Sequence, residues 1–390
     1  MLKAFLLFIA GVFMTTLEAK DKTVCLNMIV KDESKAIKQC LNSVKGLIDY
    51  WVIVDTGSTD GTQEIIKEAL SGIPGELHEK PWVNFEHNRN EALILAKDKA
   101  DYLFFIDADE RVVCTSSLDK SKLNKHYYYC PLYTFGGNGA LHVQMINNRL
   151  AGWHWEGVLH EELLNLNVQE GDWAVLENVQ VFADNKEGRR SQDPEKYMKD
   201  ALVLEEALKK DPQNSRHVFY LGQSYFNAGK LDLALQNYEK RSLMGGQNTG
   251  EVFWSMYFVG MLEEELNRPF EKVVASYSRA HKHFPTRAEP LYKLANYLLQ
   301  KEHHLLGYLV SEFALSIPLP SEAERRFSYC NENIYKFGLN FTFGNAAFLM
   351  GKFSEANKAY EKILATPAVP EDFLQTVRNN NNAALSQIPQ

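Results

Sequence analysis

The spacing of apolar and polar residues changes character once along the chain. Up to about residue 182, short apolar runs alternate with amphipathic stretches; beyond residue 195 the period is helical throughout. Thr23 to Val30 and Tyr50 to Val54 are almost uninterrupted apolar runs, the pattern of strands covered on both faces of a parallel sheet. After the first run comes the turn Lys31-Asp-Glu-Ser34, then Ile37, Cys40, Leu41 and Val44 at helical spacing. After the second comes the turn Asp55-Thr-Gly57-Ser-Thr-Asp60-Gly61-Thr62 and a helix over Gln63 to Leu70. The chain therefore opens strand–helix–strand–helix, which predicts a parallel α/β sheet of the nucleotide-binding kind. Glu76 to Lys80 reads as a short third strand. Phe85 to Lys99 reads as a helix with Ala92, Leu95 and Ala96 inward, and Tyr102 to Ile106 as an inner strand. Shorter strands and loops follow from Tyr127 to Phe182, and the polar residues 184–195, with Gly188 and Pro194, read as a linker.

The inner strand runs directly into Asp107-Ala108-Asp109-Glu110. The carboxyl end of such a strand is where open α/β sheets bind ligands. Two carboxylates one residue apart can share a hard cation whose remaining ligands are phosphate oxygens and water. The expectation is a metal–diphosphate site; the plain alternative for so short a motif is a solvated turn.

In the helical region a spacing repeats. Gly222, Ala234 and Tyr238 stand 12 and 4 residues apart, and so do Gly344, Ala356 and Tyr360. Small residues let two helices of a hairpin approach closely while the Tyr closes the pair. This resembles tetratricopeptide repeats and predicts a solenoid of about four to five hairpins over residues 196–390. Such a solenoid offers a concave surface for an acceptor, a protein partner or self-association.

Composition narrows the possibilities. A net charge of −8 lacks the basic footprint of nucleic-acid binding. The five cysteines are scattered without Cys-x-x-Cys spacing, which argues against a structural zinc site or a disulfide framework. His303-His304 and Cys330 match no metal-ligand pattern and read as structural. At the N-terminus, Lys3 precedes an 11-residue apolar run from Ala4 to Met14, and small and polar residues follow to Ala19. That is the layout of a signal peptide over residues 1–19, and the run is shorter than the ~20 residues a membrane span requires. Export is the expectation. An added N-terminal helix or strand, in a cytoplasmic or membrane-associated protein, is the alternative.

Five stretches, in order and sensibly spaced, carry a family resemblance: Met28-Ile-Val-Lys-Asp-Glu33, Val54-Asp-Thr-Gly-Ser-Thr-Asp-Gly-Thr62, Phe85 to Ala92 with Arg89-Asn90, Ile106-Asp-Ala-Asp-Glu110, and Trp155-Glu-Gly-Val-Leu-His160-Glu161. They resemble family 2 glycosyltransferases of the GT-A fold, in the branch fused to tetratricopeptide repeats. The resemblance implies a GT-A domain over residues 20–183. It also implies an inverting transfer of a sugar from a nucleotide sugar, expected to be UDP-linked, to a glycan, lipid or polypeptide, with Mg²⁺ or Mn²⁺. Val30 and Asp55 would hold the nucleotide base, Arg89 would orient the donor, and Asp107 would take the ribose or a metal-bound water. Asp109 would bind the metal, and His160 would complete its shell. Trp153 and Trp155 would stack on a sugar or anchor their loop. The family's Val-Asp-Asp-Gly-Ser turn is Asp55-Thr56 here. The Glu-Asp pair that often supplies the base is absent, which leaves Glu161 and Glu156 as the candidate bases. Two other readings are a non-catalytic adaptor with a degenerate α/β domain, and a nucleotidyltransferase. The latter needs a glycine-rich basic loop after the first strand, which Lys31-Asp-Glu-Ser34 does not provide.

Overall fold

The computed structural model describes residues 21–134, 140–169, 171–183, 188–246, 249–327 and 330–388; the expected signal segment lies outside them. The N-terminal domain is a mixed sheet. β1 (Val24–Val30), β2 (Tyr50–Asp55), β3 (Gly75–Glu79) and β4 (Tyr102–Phe105) are parallel, in the order β3-β2-β1-β4. β5 (Glu110–Cys114), β6 (Tyr127–Thr134), β7 (Ala140–Asn147) and β11 (Val179–Ala183) continue it as β4-β7-β6-β11-β5, and β10 (Trp173–Val175) pairs with β6. β7 runs antiparallel to both β4 and β6. A separate two-stranded ribbon joins β8 (His154–Glu156) to β9 (Glu162–Leu164).

The apolar runs become inner strands because both of their faces are covered. Leu26, Met28, Ile53 and Phe104 point to one core, shared with Ile37, Leu41 and Val44 of α1 (Ile37–Val44) and Ile66 of α2 (Thr62–Ala69). Their neighbours Cys25, Val52, Leu103 and Phe105 point to the other, with Ala96 and Ala100 at and beyond the end of α3 (Phe85–Leu95). This is the period-2 alternation of a pleated strand, with apolar residues in both phases.

The loops leaving β1 and β2 are tied together. The Asp32 carboxylate accepts from Thr59 N at 2.8 Å, Asp32 N donates to Ser58 Oγ at 2.8 Å, and Ser34 N donates to Asp60 at 3.0 Å. Asp32 itself takes φ +52°, a left-handed conformation that this double contact stabilises. Between β4 and β5 the chain turns sharply: Glu110 N donates to Asp107 O, and Asp107 N donates to the Glu110 side chain. β5 then leaves for the far edge of the sheet beside β11, so the acidic turn stands at the carboxyl end of an inner strand.

The C-terminal region is helical. α4 (Lys196–Lys210) precedes α5 (Ser215–Asn227) and α6 (Leu231–Met244), α7 (Thr249–Glu265) and α8 (Phe270–His283), and α9 (Glu289–Gln300) and α10 (His304–Ala314). α11 (Glu322–Phe327) and a π-turn (Ile334–Gly338) interrupt the series before α12 (Leu339–Leu349), α13 (Phe353–Leu364) and α14 (Glu371–Leu385). Consecutive helices pack as hairpins: α5 on α6, α7 on α8, α9 on α10 and α12 on α13.

The two spaced motifs are the contact points of hairpins. A Cβ at Gly222 would lie 3.2 Å from the Tyr238 ring, and one at Gly344 would lie 2.7 Å from that of Tyr360. A third pair, Gly260 with Tyr277, does the same at 2.7 Å. Its spacing is 17 residues rather than 16, so the sequence frame passed over it. Tyr360 is 1% exposed and its hydroxyl donates to Asn345 at 2.8 Å, so the ring cannot swing away. Gly344→Ala is therefore expected to destabilise the helical region by ~1–3 kcal/mol through overpacking. Gly222→Ala, with half an ångström more room, should be close to neutral, because alanine's helix propensity returns about 1 kcal/mol. Thermal unfolding of the two variants followed by circular dichroism separates them; equal midpoints would contradict the packing argument.

Candidate active site

α3 is the helix from which the site is built. Asn84 caps it, accepting from His87 N at 2.7 Å, and the buried Asn88 fixes the preceding loop through Val83 N (2.9 Å) and Pro81 O (3.0 Å). The next turn holds the β8–β9 ribbon. Asn90 exchanges two hydrogen bonds with the Trp155 backbone, at 2.8 and 2.9 Å, and Glu86 accepts from Gly157 N at 2.8 Å. Arg89 projects between them. Its guanidinium donates to Asp107 at 2.8 Å and to Glu161, and lies 5.0 Å from the centre of the Trp155 ring. Burial alone would lower the Arg89 pKa, but the Asp107 and Glu161 carboxylates outweigh it and raise the value, so the side chain stays charged.

Two cavities meet at this arginine. The first, about 590 Å³, is lined by Val30, Lys31 and Thr56 from the ends of β1 and β2, and by Asp107, Asp109 and Glu110. The second, about 660 Å³, is lined by Tyr129, His142, Trp155, His160, Glu161 and Arg216. Arg89, Asp107, Glu110, Arg190 and Lys196 line both. The cleft is thus continuous, with the Asp107–Arg89–Glu161 chain at its waist.

Asp55 lies behind the first cavity, fully buried. One carboxylate oxygen accepts from Gly57 N (2.9 Å) and Ser58 N (2.8 Å). The other, Oδ2, is buried with no hydrogen-bond partner among the described residues, the kind of exception among buried polar groups that calls for an explanation. Val30 and Thr56 flank it, Thr56 donating to Val30 O through both its amide and its hydroxyl, at 2.9 and 3.0 Å.

The acids at the β4 end repel one another. Glu110 is pushed up to about 8 by burial first and then by the Asp107 and Asp109 carboxylates. A set of crowded carboxylate oxygens is the donor chemistry a hard divalent cation takes. Among the described residues no group of three His, Cys, Asp or Glu side chains converges on one point. A cation at this turn would have Asp109 and Asp107 as its carboxylates and phosphate and water at its other positions, not an all-protein cage. Gly188 makes room for Asp109: a Cβ there would come within 2.4 Å of its Oδ2.

His160 does not join Asp109. It takes φ +54°, its carbonyl accepts from Arg216 Nε and Nη2 at 3.0 and 2.9 Å, and its ring stacks on Tyr220 with centroids 3.9 Å apart. The clamp sets the imidazole against α5; His160 lines the second cavity and Asp109 the first, and no contact between the two is seen among the described residues. Although the residue is exposed, desolvation of the ring against Tyr220, then Arg216, Arg190 and Lys196, lower the His160 pKa to about 4, which favours the neutral ring. Glu156 is exposed, sits opposite Glu162 in the ribbon and lines neither cavity; Glu161 lines the second. Trp153 anchors its loop, donating to Asn147 O at 3.0 Å, and Trp155 packs edge-on against Phe105.

Residues 188–200, from the polar stretch read as a linker and the start of α4, are site residues that the sequence reading passed over. Gly188, Arg190, Lys196, Lys199 and Asp200 all line the first cavity. The helical region also supports the ribbon from behind: Arg216 pairs with Glu162 (2.6 Å) and Glu251 (2.9 Å), and Glu251 in turn with the fully buried Arg241 (3.1 Å). No signal in one sequence ties these positions to a turn more than 80 residues earlier.

Residues 25–113 match the family model described as glycosyl transferase family 2. The SPbeta prophage-derived glycosyltransferase SunS of Bacillus subtilis (strain 168) is 27% identical over 233 residues, 57% of this chain and 53% of SunS. The match thus spans about half the length of that relative. A TPR repeat-containing protein of Synechococcus elongatus is 38% identical over 90 residues, 23% of this chain and 21% of that protein. Among solved structures, that of S. aureus TarS aligns at 12% identity and a TM-score of 0.35, over 64% of this chain and 54% of that one. The matched residues include β1, β2, β4 and the acidic turn, whose geometry is given above: residues 25–113 are a glycosyl transferase family 2 domain, here followed by a tetratricopeptide-like helical region.

Proposed function

We propose that this chain is an inverting glycosyltransferase that takes a UDP-linked sugar and a divalent metal, Mg²⁺ or Mn²⁺. The observation that carries the reading is the pair of cavities joined at the Asp107–Arg89–Glu161 chain. Three features support the first as a donor site: Val30 and Thr56 from the ends of β1 and β2 line it, the buried Asp55 next to Thr56 has an unpartnered carboxylate oxygen suited to a pyrimidine N–H, and three acids line it where the diphosphate would lie. The second is the acceptor side, with Glu161 at the shared boundary.

In this reading Asp109, assisted by Asp107, would hold the cation, which supplies charge neutralisation for the departing diphosphate. Glu161 accepts the proton of an acceptor hydroxyl or thiol. That oxygen or sulfur forms a bond to the anomeric carbon as the bond from that carbon to the diphosphate oxygen breaks. Attack from the second cavity with departure into the first is a single displacement, hence inversion. Arg89 keeps Glu161 and Asp107 at a fixed separation throughout. The acceptor belongs to the class of glycan, lipid or polypeptide, and the helical region is the surface on which a polypeptide would dock.

The direct test is calorimetric titration with uridine, UDP and CDP, with and without Mn²⁺. UDP should bind at least about tenfold more tightly than CDP, since cytosine N3 carries no hydrogen to donate to Asp55, and Mn²⁺ should strengthen UDP more than uridine. Equal or absent binding of all three would remove the donor-site assignment.

A further inference from the structure

We propose that Lys196 and Arg190, at the entry to the helical region, form a diphosphate-binding wall of the donor cavity, so that the donor site is completed by the second domain. The assignment rests on the donor reading above and adds to it the residues that face the phosphates.

The first cavity is lined by groups of both charges: Asp107, Asp109 and Glu110 at the end of β4, and Arg190 and Lys196 from the entry to the helical region. α4 presents a single face to the cavity, Lys196, Lys199, Asp200 and Val203, which recur at helical spacing. The cations on this side are not equivalent. Lys199 is turned to Asp193 (2.6 Å) and Glu195 (3.7 Å), which neutralise it. Arg190 is stacked over the Phe85 ring at 4.9 Å and ion-paired with Asp200, so its guanidinium is held in place at the cavity boundary. Lys196 has no carboxylate within ion-pair distance among the described residues; its ammonium lies 5.5 Å from the Tyr197 ring centre. An ammonium without a carboxylate partner and a guanidinium held in place, lining one cavity, suit a group with several anionic oxygens.

A nucleoside diphosphate carrying a divalent cation would match both sets of groups at once, its cation held by the acids and its remaining phosphate oxygens by Lys196 and Arg190. Neither set alone accounts for the cavity: the acids would repel a bare diphosphate, and the cations would leave the acids crowded. Both cations also line the second cavity, so they stand where the diphosphate adjoins the transferred sugar.

The experiment compares uridine with UDP on the full-length protein. Lys196→Ala should weaken UDP by about tenfold, and Lys196→Ala with Arg190→Ala by about a hundredfold, while uridine affinity stays within about twofold. Lys196→Arg should keep UDP within about threefold of wild type, which separates lost charge from a disturbed fold. UDP affinity unchanged in the double variant, or uridine weakened as much as UDP, overturns the assignment while leaving the donor reading intact. Wild-type protein that binds neither ligand overturns both.

Discussion

Asp109→Ala is expected to cut sugar transfer by roughly two to three orders of magnitude, the loss typical of removing one preorganised contact to developing charge. Asp107 and Asp109 differ in what they do. Asp107 is already committed through one oxygen to Arg89 at 2.8 Å, and it lines both cavities. Asp109 lines only the first, pressed against the backbone of Gly188. Removing Asp109 leaves the cation with a single carboxylate that is shared with a guanidinium. Mn²⁺ binding followed by electron paramagnetic resonance should therefore fall with activity, while uridine binding, which the proposal assigns to Asp55, should hold. Gly188→Ala forms the companion test. Its backbone, at φ −61°, accepts any residue, but the added methyl would meet the Asp109 carboxylate at 2.4 Å. It should lower Mn²⁺ affinity in the same direction by a smaller factor. An Asp109→Ala protein that transfers sugar at the wild-type rate would end the metal assignment.

The parts of this site that could be read from the sequence are those set by local chemistry. An apolar strand followed by a turn announces its own carboxyl edge, so the β1, β2 and β4 ends and their acids were identifiable from Val30, Asp55 and Asp107 to Asp109 alone. The parts that could not be read depend on distant packing. His160 is an unremarkable candidate ligand until Arg216 and Tyr220, on a helix more than 50 residues later, clamp its carbonyl and stack its ring. Residues 184–195 have the composition of a linker because they are polar. Polarity serves equally well to line a charged cavity, and only the position of α4 decides between the two. β5 follows β4 directly in sequence yet lies at the opposite edge of the sheet. The strands β7, β6 and β11 that separate them come later in the chain, so no local pattern encodes the insertion. In the helical region the regular spacing of Gly222 and Gly344 to their tyrosines was visible, whereas a single extra residue hid the equivalent contact of Gly260 with Tyr277.

Glu161→Gln should lower transfer by about 10²–10⁴-fold, the range for a general base, and leave UDP affinity within about threefold. Glutamine keeps the shape and can still accept from Arg89 Nε, so the waist of the cleft stays assembled; what it loses is the ability to take a proton. Glu161→Asp is the discriminating companion: it keeps a carboxylate that can take a proton and should retain more transfer than the glutamine variant. A residue needed only to hold Arg89 would behave differently: glutamine still accepts from Arg89 Nε, and Arg89 keeps Asp107, so Glu161→Gln would then be the milder change. Glu156→Gln decides between the two acids first considered. Exposed on the ribbon and outside both cavities, Glu156 should tolerate the change within about threefold, as surface substitutions away from a site do. The ribbon's position depends on the helical region through Arg216, which holds the His160 carbonyl one residue before Glu161. Arg216→Ala should therefore imitate Glu161→Gln in kcat while sparing UDP affinity. If Glu156→Gln abolished transfer and Glu161→Gln did not, the acceptor would have to enter from the solvent face of the ribbon, and the second cavity would lose its role.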